Sequence, residues 1–527
     1  MNTPTRCKTR LADLFGAALS RSLYITVTAA ALALGAVVRA GPPQAQAALN
    51  RTDADGRLRT DTLRVWPGDG DRSLLSEAGS RRCWKLPLDG PIRYIYVRTL
   101  PSGFHGGSSR VQVTIDALDS SGRLFVEYDS YLFPYKSQGI AMSNTGTWRT
   151  FEFELPDAGF FGRCNGADFR ITADQPVCVA QLRVRQLERA LEADAFAHDW
   201  SIADPGRVHR DRIGFSHGGV YWGKGGMTEP VYERELDLVR RLGFGWIRKW
   251  SEWADVEPQP GVFDWPRLDY RVAMGKRCGL KQLGMVGFCT EWAADAPPDL
   301  EGFARTKYPP RDLNDLRRYV RAMVARYKDD VKYWEGWNEA NVAGFWNLPP
   351  SGRDRFEHYV VWQRAFHAAA KQADPDCTVL TGGFAGEAQL AQHLVRYYEA
   401  GMKDTFDVMN IHVYGADPRG NWTPQLTESV IRVMRHYGDA DKPIWITETG
   451  WPVESQHPYV RALEEQAQWT PWLFTVLLSY PQVERVFFHE LRDLSSDANF
   501  GWYRRDFSAR PVVERWCRWR GIPVPEP

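Results

Sequence analysis

Charge of one sign is what this sequence lacks: 66 Lys and Arg stand against 65 Asp and Glu over 527 residues, a formal net charge of +1. A nucleic-acid partner or an anionic membrane surface would call for a basic excess, so neither is indicated. Cysteine is sparse, eight in all, with no CxxC pair, no Cys/His zinc spacing and no HExxH, so the chain calls for no metal and no cofactor. Long apolar runs are missing apart from "LYITVTAAALALGAVV" at residues 23–38, and 16 residues fall short of a comfortable membrane span. No internal repeat appears. The remaining composition, 43% apolar and 25% charged, is that of a soluble globular protein, and the length is too great for one ordinary core.

The one apolar run has its own reading. Arg6, Lys8, Arg10 and Arg21 precede it and "AQA" at 45–47 follows, the order of a basic region, an apolar region and a small-residue cleavage site. Residues 1–47 are therefore expected to be a cleaved signal peptide, giving a secreted or periplasmic protein with no transmembrane domain; an uncleaved anchor is the alternative. Their removal takes away five Lys/Arg and one Asp and moves the formal charge from +1 to −3. Cys7 leaves with them. Cys83, Cys164, Cys178, Cys278, Cys289, Cys377 and Cys517 remain, an odd number, with pairing expected among the first three.

Tryptophan, by contrast, is abundant, at 22 residues. Flat aromatic faces suit sugar rings, although packing must account for many of them. Residues 48–188 read as an all-β sandwich, jelly-roll-like: short alternating runs such as "IRYIYVRTL", "RVQVTIDALD" and "WRTFEFELP" are punctuated by Gly, Pro, Asp and Ser. Such modules either bind carbohydrate or serve as inert packing. Residues 189–210 are a charged connector, first helical and then loop.

From 211 to 520 the pattern alternates strand with helix, ahead of a short tail at 521–527. Eight apolar strands, from "IGFSH" through "VERVFFHE", alternate with helical segments, and Gly243, Gly279, Gly401 and Gly438 stand where helix C-terminal caps belong. The count of units matches an α/β (β/α)8 TIM barrel, whose chemistry sits at the C-terminal ends of the strands. Glu339 ends the fourth strand and Glu448 the seventh. Two carboxylates across a barrel mouth are what glycoside hydrolysis requires, one to protonate the leaving oxygen and one to attack or activate water.

"WNE" after strand four and "TETG" after strand seven resemble the clan A retaining glycoside hydrolases. "WIRKWSEWADVEPQPGVFDWPRLD" at 246–269 and "HELRDLSSDANFGWYRRDFSARPVVERW" near the C-terminus are similar to family 39 and its exopolysaccharide-degrading relatives. The resemblance covers about 212–520. It implies Glu339 as acid/base, Glu448 as nucleophile, and Asn338 as the hydrogen-bond partner of the sugar 2-hydroxyl. It further implies that Arg248 holds Glu448 ionised, Tyr414 donates to that same carboxylate, and His412 lines the site. The charge of Glu448 and burial would then keep Glu339 protonated until Glu448 is esterified, and retention needs the carboxyls about 5–5.5 Å apart.

Around the mouth, Trp222, Trp253, Trp292, Trp337, Trp346, Trp451 and Trp502 fall in or beside cleft-lining loops, and Glu291 and His217 are further candidates for substrate hydroxyls. Arg248 shares strand parity with Trp250. Glu335 shares parity with Glu339 but lies deeper, as a paired residue of the barrel interior, and alternation alone cannot bring both Asn338 and Glu339 into one site. Many relatives carry a Trp after strand eight, where this chain has "FFHELRD" and His489, so a named activity is not inherited. The expected partner is a polysaccharide or oligosaccharide, cleaved by endo-action. A transglycosidase and a non-catalytic carbohydrate-binding protein of the cell envelope are the alternatives. The sugar, its linkage and the oligomeric state are not readable.

Overall fold

In a computed structural model of the protein, the structure describes residues 44–48, 58–59, 63–67, 74–86, 94–100, 102–193, 195–217, 228–251, 253–348, 354–415, 417–494 and 498–526. The expected signal peptide lies outside these, except for residues 44–47. Among the described residues no helix is long and apolar enough to cross a membrane.

The N-terminal part is all-β. One antiparallel sheet holds β1 (Gln44–Ala48), β4 (Leu74–Ala78), β5 (Arg81–Leu86), β7 (Ser108–Leu118), β10 (Trp148–Ala158) and β12 (Val177–Leu191). The other holds β2 (Leu58–Arg59), β3 (Leu63–Pro67), β6 (Ile95–Thr99), β8 (Arg123–Tyr128), β9 (Lys136–Ala141) and β11 (Phe169–Ala173). Alternation explains the packing: along β10 Phe151, Phe153 and Leu155 are buried while Glu152 and Glu154 face out. Val111, Val113 and Ile115 of one sheet share a core with Leu124, Val126 and Phe169 of the other. The connector departs from expectation at its start. Residues 189–191 continue β12, held in register by Arg189 and Leu191 against β7, and three 3-10 turns follow instead of an α-helix.

Among the described residues, nine parallel strands make the second part: β13 (Ile213–His217), β14 (Trp246–Ser251), β15 (Lys281–Val286), β16 (Tyr333–Gly336), β17 (Thr378–Leu380), β18 (Phe384–Ala385), β19 (Met409–Tyr414), β20 (Ile444–Gly450) and β21 (Val483–His489). Their order is β17-β16-β15-β14-β13-β21-β20-β19-β18. Both edges come from one stretch, the expected fifth strand, broken at residues 381–383. Parallel bridges Asn338↔Gly383 and Leu380↔Val408 span the break. Eight segments, each followed by at least one helix, thus curl into a ring that fits a (β/α)8 barrel. Gly243, Gly279, Gly401 and Gly438 all take positive φ just past helix ends, as a left-handed cap requires.

Side chains and a neighbouring backbone take up hydrogen bonds at the break. Gly382 N–H donates to the Tyr359 hydroxyl at 2.9 Å, and Gly383 N–H donates to the Glu335 carboxylate at 3.1 Å. Glu339 N–H donates to the Gly383 carbonyl at 2.9 Å. A Cβ at Gly383 would lie 2.0 Å from His412 Nε2, so only glycine leaves that ring its place. The opposite end of the barrel is closed by Trp246, Trp445, Phe487 and Tyr333, with the Arg485 guanidinium 4.5 Å from the Trp246 ring and 4.2 Å from that of Trp445.

The two parts touch at the helix Trp422–His436. Arg163, ion-paired to Asp129 at 2.8 Å, donates to Ser429 Oγ at 2.8 Å, and the Arg432 guanidinium sits 3.8 Å from the Phe161 ring.

Candidate active site

The site is built around one buried guanidinium. Arg248 of β14 is fully buried, too deep for an ordinary ion pair with water. It faces two carboxylates at once. Nε and Nη2 donate to Glu335 at 2.6 and 2.7 Å as a planar fork, and Nη1 donates to Glu448 Oε1 at 2.5 Å. Ser216 Oγ and Asn338 Oδ1 accept further bonds at 3.1 and 2.8 Å, and Met285 Sδ lies 3.2 Å from Nη2. Burial pushes the Arg248 pKa down, but the two carboxylates more than reverse this and hold it charged.

Glu448 is correspondingly fixed. Its second oxygen accepts from the Tyr414 hydroxyl at 2.7 Å. Burial pushes its pKa up, yet His412, Arg248, His489 and the Tyr414 bond together outweigh burial and hold it well below the usual carboxylate range. Burial and the charge of Glu448 raise Tyr414 well above the ordinary phenol, so it stays a donor.

Asn338 and Glu339 reach the site by a bend. β16 stops at Gly336, and Trp337 and Glu339 take φ of +73° and +50°, so the two-residue alternation is broken between them. Glu339 Oε1 then lies 2.8 Å from His412 Nδ1. A chain of bonds orients that imidazole. Asn410 Nδ2 donates to the Thr381 carbonyl, and Thr447 Oγ1 donates to Asn410 Oδ1 at 2.8 Å. Thr447 therefore accepts from His412 Nε2–H at 3.2 Å, which turns Nδ1 toward Glu339.

One oxygen of Glu339, one oxygen of Glu448 and one nitrogen of His412 lie within 4.8 Å of each other. Such a trio could ligate a divalent cation. Here both Glu448 oxygens already accept from Arg248 and Tyr414, a setting for a free carboxylate rather than for a metal ligand.

A cavity of about 860 Å³ opens over the pair, lined by Glu339, Glu448, Tyr414, Trp451, His489 and Trp422 among others. Of the expected mouth tryptophans, Trp451 lines it while donating to the Gly415 carbonyl at 2.7 Å. Trp253, Trp337, Trp346 and Trp502 are instead buried in the barrel's hydrophobic core, Trp337 edge-on against Trp346 and Trp253 stacked on Tyr319. Trp292 does not line this cavity. Its indole donates to the Glu257 carbonyl at 2.9 Å and packs edge-on against Trp253, both in the segment that follows β14. Glu291 accepts from Gly302 N–H at its own helix start. Trp222 and the side chains of His217 and Trp250 lie outside the described residues. Trp422, Tyr459, Phe345, Phe500, Glu387, His457 and Arg461, none of them among the expected site residues, also line the cavity. Their position in loops after strands four to eight was the available signal.

All seven described cysteines are free thiols. Cys83 and Cys178 share one small cluster and hydrogen-bond, while Cys164 packs separately with Tyr96.

Paired carboxylates at the ends of strands four and seven of such a barrel define a class of enzyme. Residues 313–500, which contain both Glu339 and Glu448, match the family model described as "Glycosyl hydrolase catalytic core". The protein is a glycoside hydrolase, and it resembles the clan A enzymes, family 39 among them. No curated protein matches the chain in sequence. A family 39 glycoside hydrolase from the gut symbiont Bacteroides cellulosilyticus WH2 is similar in structure, at 19% identity over 77% of this chain and 79% of its own, with a TM-score of 0.46. The family 39 enzyme from Xanthomonas axonopodis pv. citri gives 18% identity over 61% and 68%, with a TM-score of 0.45. A Bacteroides uniformis β-glucuronidase gives 14% over 88% of this chain but only 51% of its own, with a TM-score of 0.42.

Proposed function

We propose that the protein is a retaining, endo-acting β-glycoside hydrolase of a polysaccharide, such as a bacterial exopolysaccharide. The observation that carries this is the approach of Glu339 and Glu448 oxygens to within 4.8 Å, close to the separation of retaining enzymes and well short of that of inverting ones. In this reading Glu339 gives its proton to the glycosidic oxygen as the bond to the anomeric carbon breaks. A Glu448 oxygen forms the new bond to that carbon. In the second half Glu339 takes a proton from water, whose oxygen displaces Glu448 and regenerates both carboxyls.

The supporting groups follow from their bonds. The Asn338 carbonyl oxygen is committed to Arg248, so its amide N–H is the part that can donate to a sugar hydroxyl. Arg248 and Tyr414 keep Glu448 anionic for attack. The trio of Glu339, His412 and Glu448 is small enough that the proton removed from water has His412 beside it. The antiparallel sheets fit a jelly-roll-like sandwich that braces the barrel, and the N-terminal pattern supports export with cleavage of the signal peptide.

The test is product release from neutral and acidic bacterial and plant polysaccharides by wild type and Glu448→Gln, with NMR of the first-formed anomer. Wild type alone should release oligosaccharides, β-anomer first, and Glu339→Gln should lose about 10²–10⁴-fold in rate. An α-anomer first would refute retention, and longer products joined to an added sugar would assign a transglycosidase.

A further inference from the structure

Among the charged groups lining the cavity, each carboxylate has a hydrogen-bonding partner inside the protein. Glu448 has Arg248 and Tyr414, Glu339 has His412, and Glu387 accepts from Asn341 Nδ2 at 3.1 Å with His393 3.0 Å away. Arg461 is the reverse case. Its guanidinium donates to the carbonyl of Val460, its own chain neighbour, at 3.0 Å, and among the described residues it has no carboxylate partner. Most of its five N–H donors are therefore available to whatever fills the cleft.

Arg461 is also held in place. Its N–H donates to the Pro452 carbonyl at 2.8 Å, and Val453 and Arg461 form a parallel bridge that closes the loop after β20. The far side of the loop is tied down by Glu454, ion-paired to Arg504 and Arg510, the latter also paired to Asp493 at 2.7 Å. A loop fixed at both ends presents its guanidinium with little ordering left to do on binding. Around it the wall is aromatic. Tyr459 is 68% exposed, and Phe500 packs between His457 and His489. Flat rings beside a planar fork suit a sugar ring that carries a planar anion.

We propose that Arg461 binds the carboxylate of an acidic sugar, so that the substrate is a carboxylated polysaccharide. This rests on the hydrolase reading of the same cleft and specifies its substrate class. The neighbours complete the fit, with Tyr459 and Phe500 offering ring faces and His457 a second polar edge. A neutral polymer would leave the guanidinium without an anion to grip.

The experiment uses the full chain as Glu448→Gln, in affinity gels of alginate, xanthan or hyaluronan, of each polymer after carboxyl reduction, and of dextran sulfate. At least one carboxylated polymer should retard the protein, and carboxyl reduction should abolish this. Adding Arg461→Gln should weaken retention about tenfold or more, the loss of a charge-assisted pair. Arg110→Gln on the distant β-sandwich removes the same charge and should change nothing. Retention by none of the carboxylated polymers, equal retention of the reduced forms, stronger retention by dextran sulfate, or indifference to Arg461→Gln would each overturn the assignment. Cleavage by the otherwise wild-type enzyme is scored in parallel. Cleavage that ignores Arg461 sinks this assignment and leaves the hydrolase reading standing. Carboxylate-dependent retention without cleavage does the opposite.

Discussion

Glu335→Gln is the most informative single change, because it touches Arg248 without touching the reacting pair. Both Arg248 and Glu335 are fully buried, and the fork between them is two bonds of 2.6 and 2.7 Å. Removing one partner of a buried ion pair costs about 3–5 kcal/mol. Here Arg248 keeps Glu448, and a glutamine oxygen still accepts one bond, so the lower end, about 3 kcal/mol, applies. A barrel of about 300 residues has an unfolding entropy near 0.6 kcal/mol/K, which turns that loss into a fall in Tm of about 5 °C. Activity should fall as well. With Glu335 neutral, Arg248 draws harder on Glu448, a less basic nucleophile results, and kcat should drop while KM holds. Differential scanning calorimetry and steady-state kinetics on the identified polymer read both. A Tm change under about 1 °C, about 0.6 kcal/mol on that scale, would refute the claim that Glu335 holds Arg248.

Other consequences follow from the same network. The Glu448 carboxyl is held below its ordinary range, so its contribution to stability is complete above the unfolded value of about 4.3 and is lost as pH falls through the depressed folded value. The Tm gap between wild type and Glu448→Gln should therefore shrink from pH 7 to pH 3, and a gap that widened on acidification would contradict this. Thr447→Val cuts the chain from Asn410 to His412 and leaves two buried polar groups unpaired, at about 1–3 kcal/mol. Its acid/base step should slow more than its KM changes, and wild-type kinetics with a lowered Tm would show the chain to be structural only. Cys83 and Cys178 are neighbours on β5 and β12, and burial with the nearby Cys178 pushes the Cys83 thiol up to about 12. Exchange with oxidised glutathione should still couple them slowly, with a gain of about 4.7 kcal/mol by chain entropy, detected as a Cys83–Cys178 peptide in a non-reducing digest. A Cys164 cross-link in its place would refute the adjacency.

The barrel was legible because strand and helix periods differ and because glycine caps mark the ends of helices; all four named glycines take the expected left-handed φ. The catalytic pair was legible through its wording. The bend that admits Asn338 and Glu339 was not, since positive φ at Trp337 and Glu339 is imposed by packing and by the bond to Gly383, far away in sequence. The two glycines of "TGGF" hinted at a break in strand five, but only the folded chain shows His412 filling the space they leave. Tryptophan misled for a plain reason: abundance does not say which face a ring takes, and Trp337, Trp346 and Trp502 went to the core. Arg461 and Tyr459 escaped notice because their loop reads as polar punctuation, and its knot with Arg504 and Arg510 joins segments about fifty residues apart.

The broken fifth strand makes the ring of strands a clasp with one seam. At Gly382 and Gly383 the sheet gives up its own ladder and lets Tyr359 and Glu335 stand in for a neighbouring backbone. Glu335 holds Gly383 with one oxygen and Arg248 with both, so a stitch that closes the barrel and the stitch that steadies the nucleophile share one thread. Slow opening of the native protein should begin at that seam, beside Glu339, and reach the chemistry before it reaches the remainder of the fold.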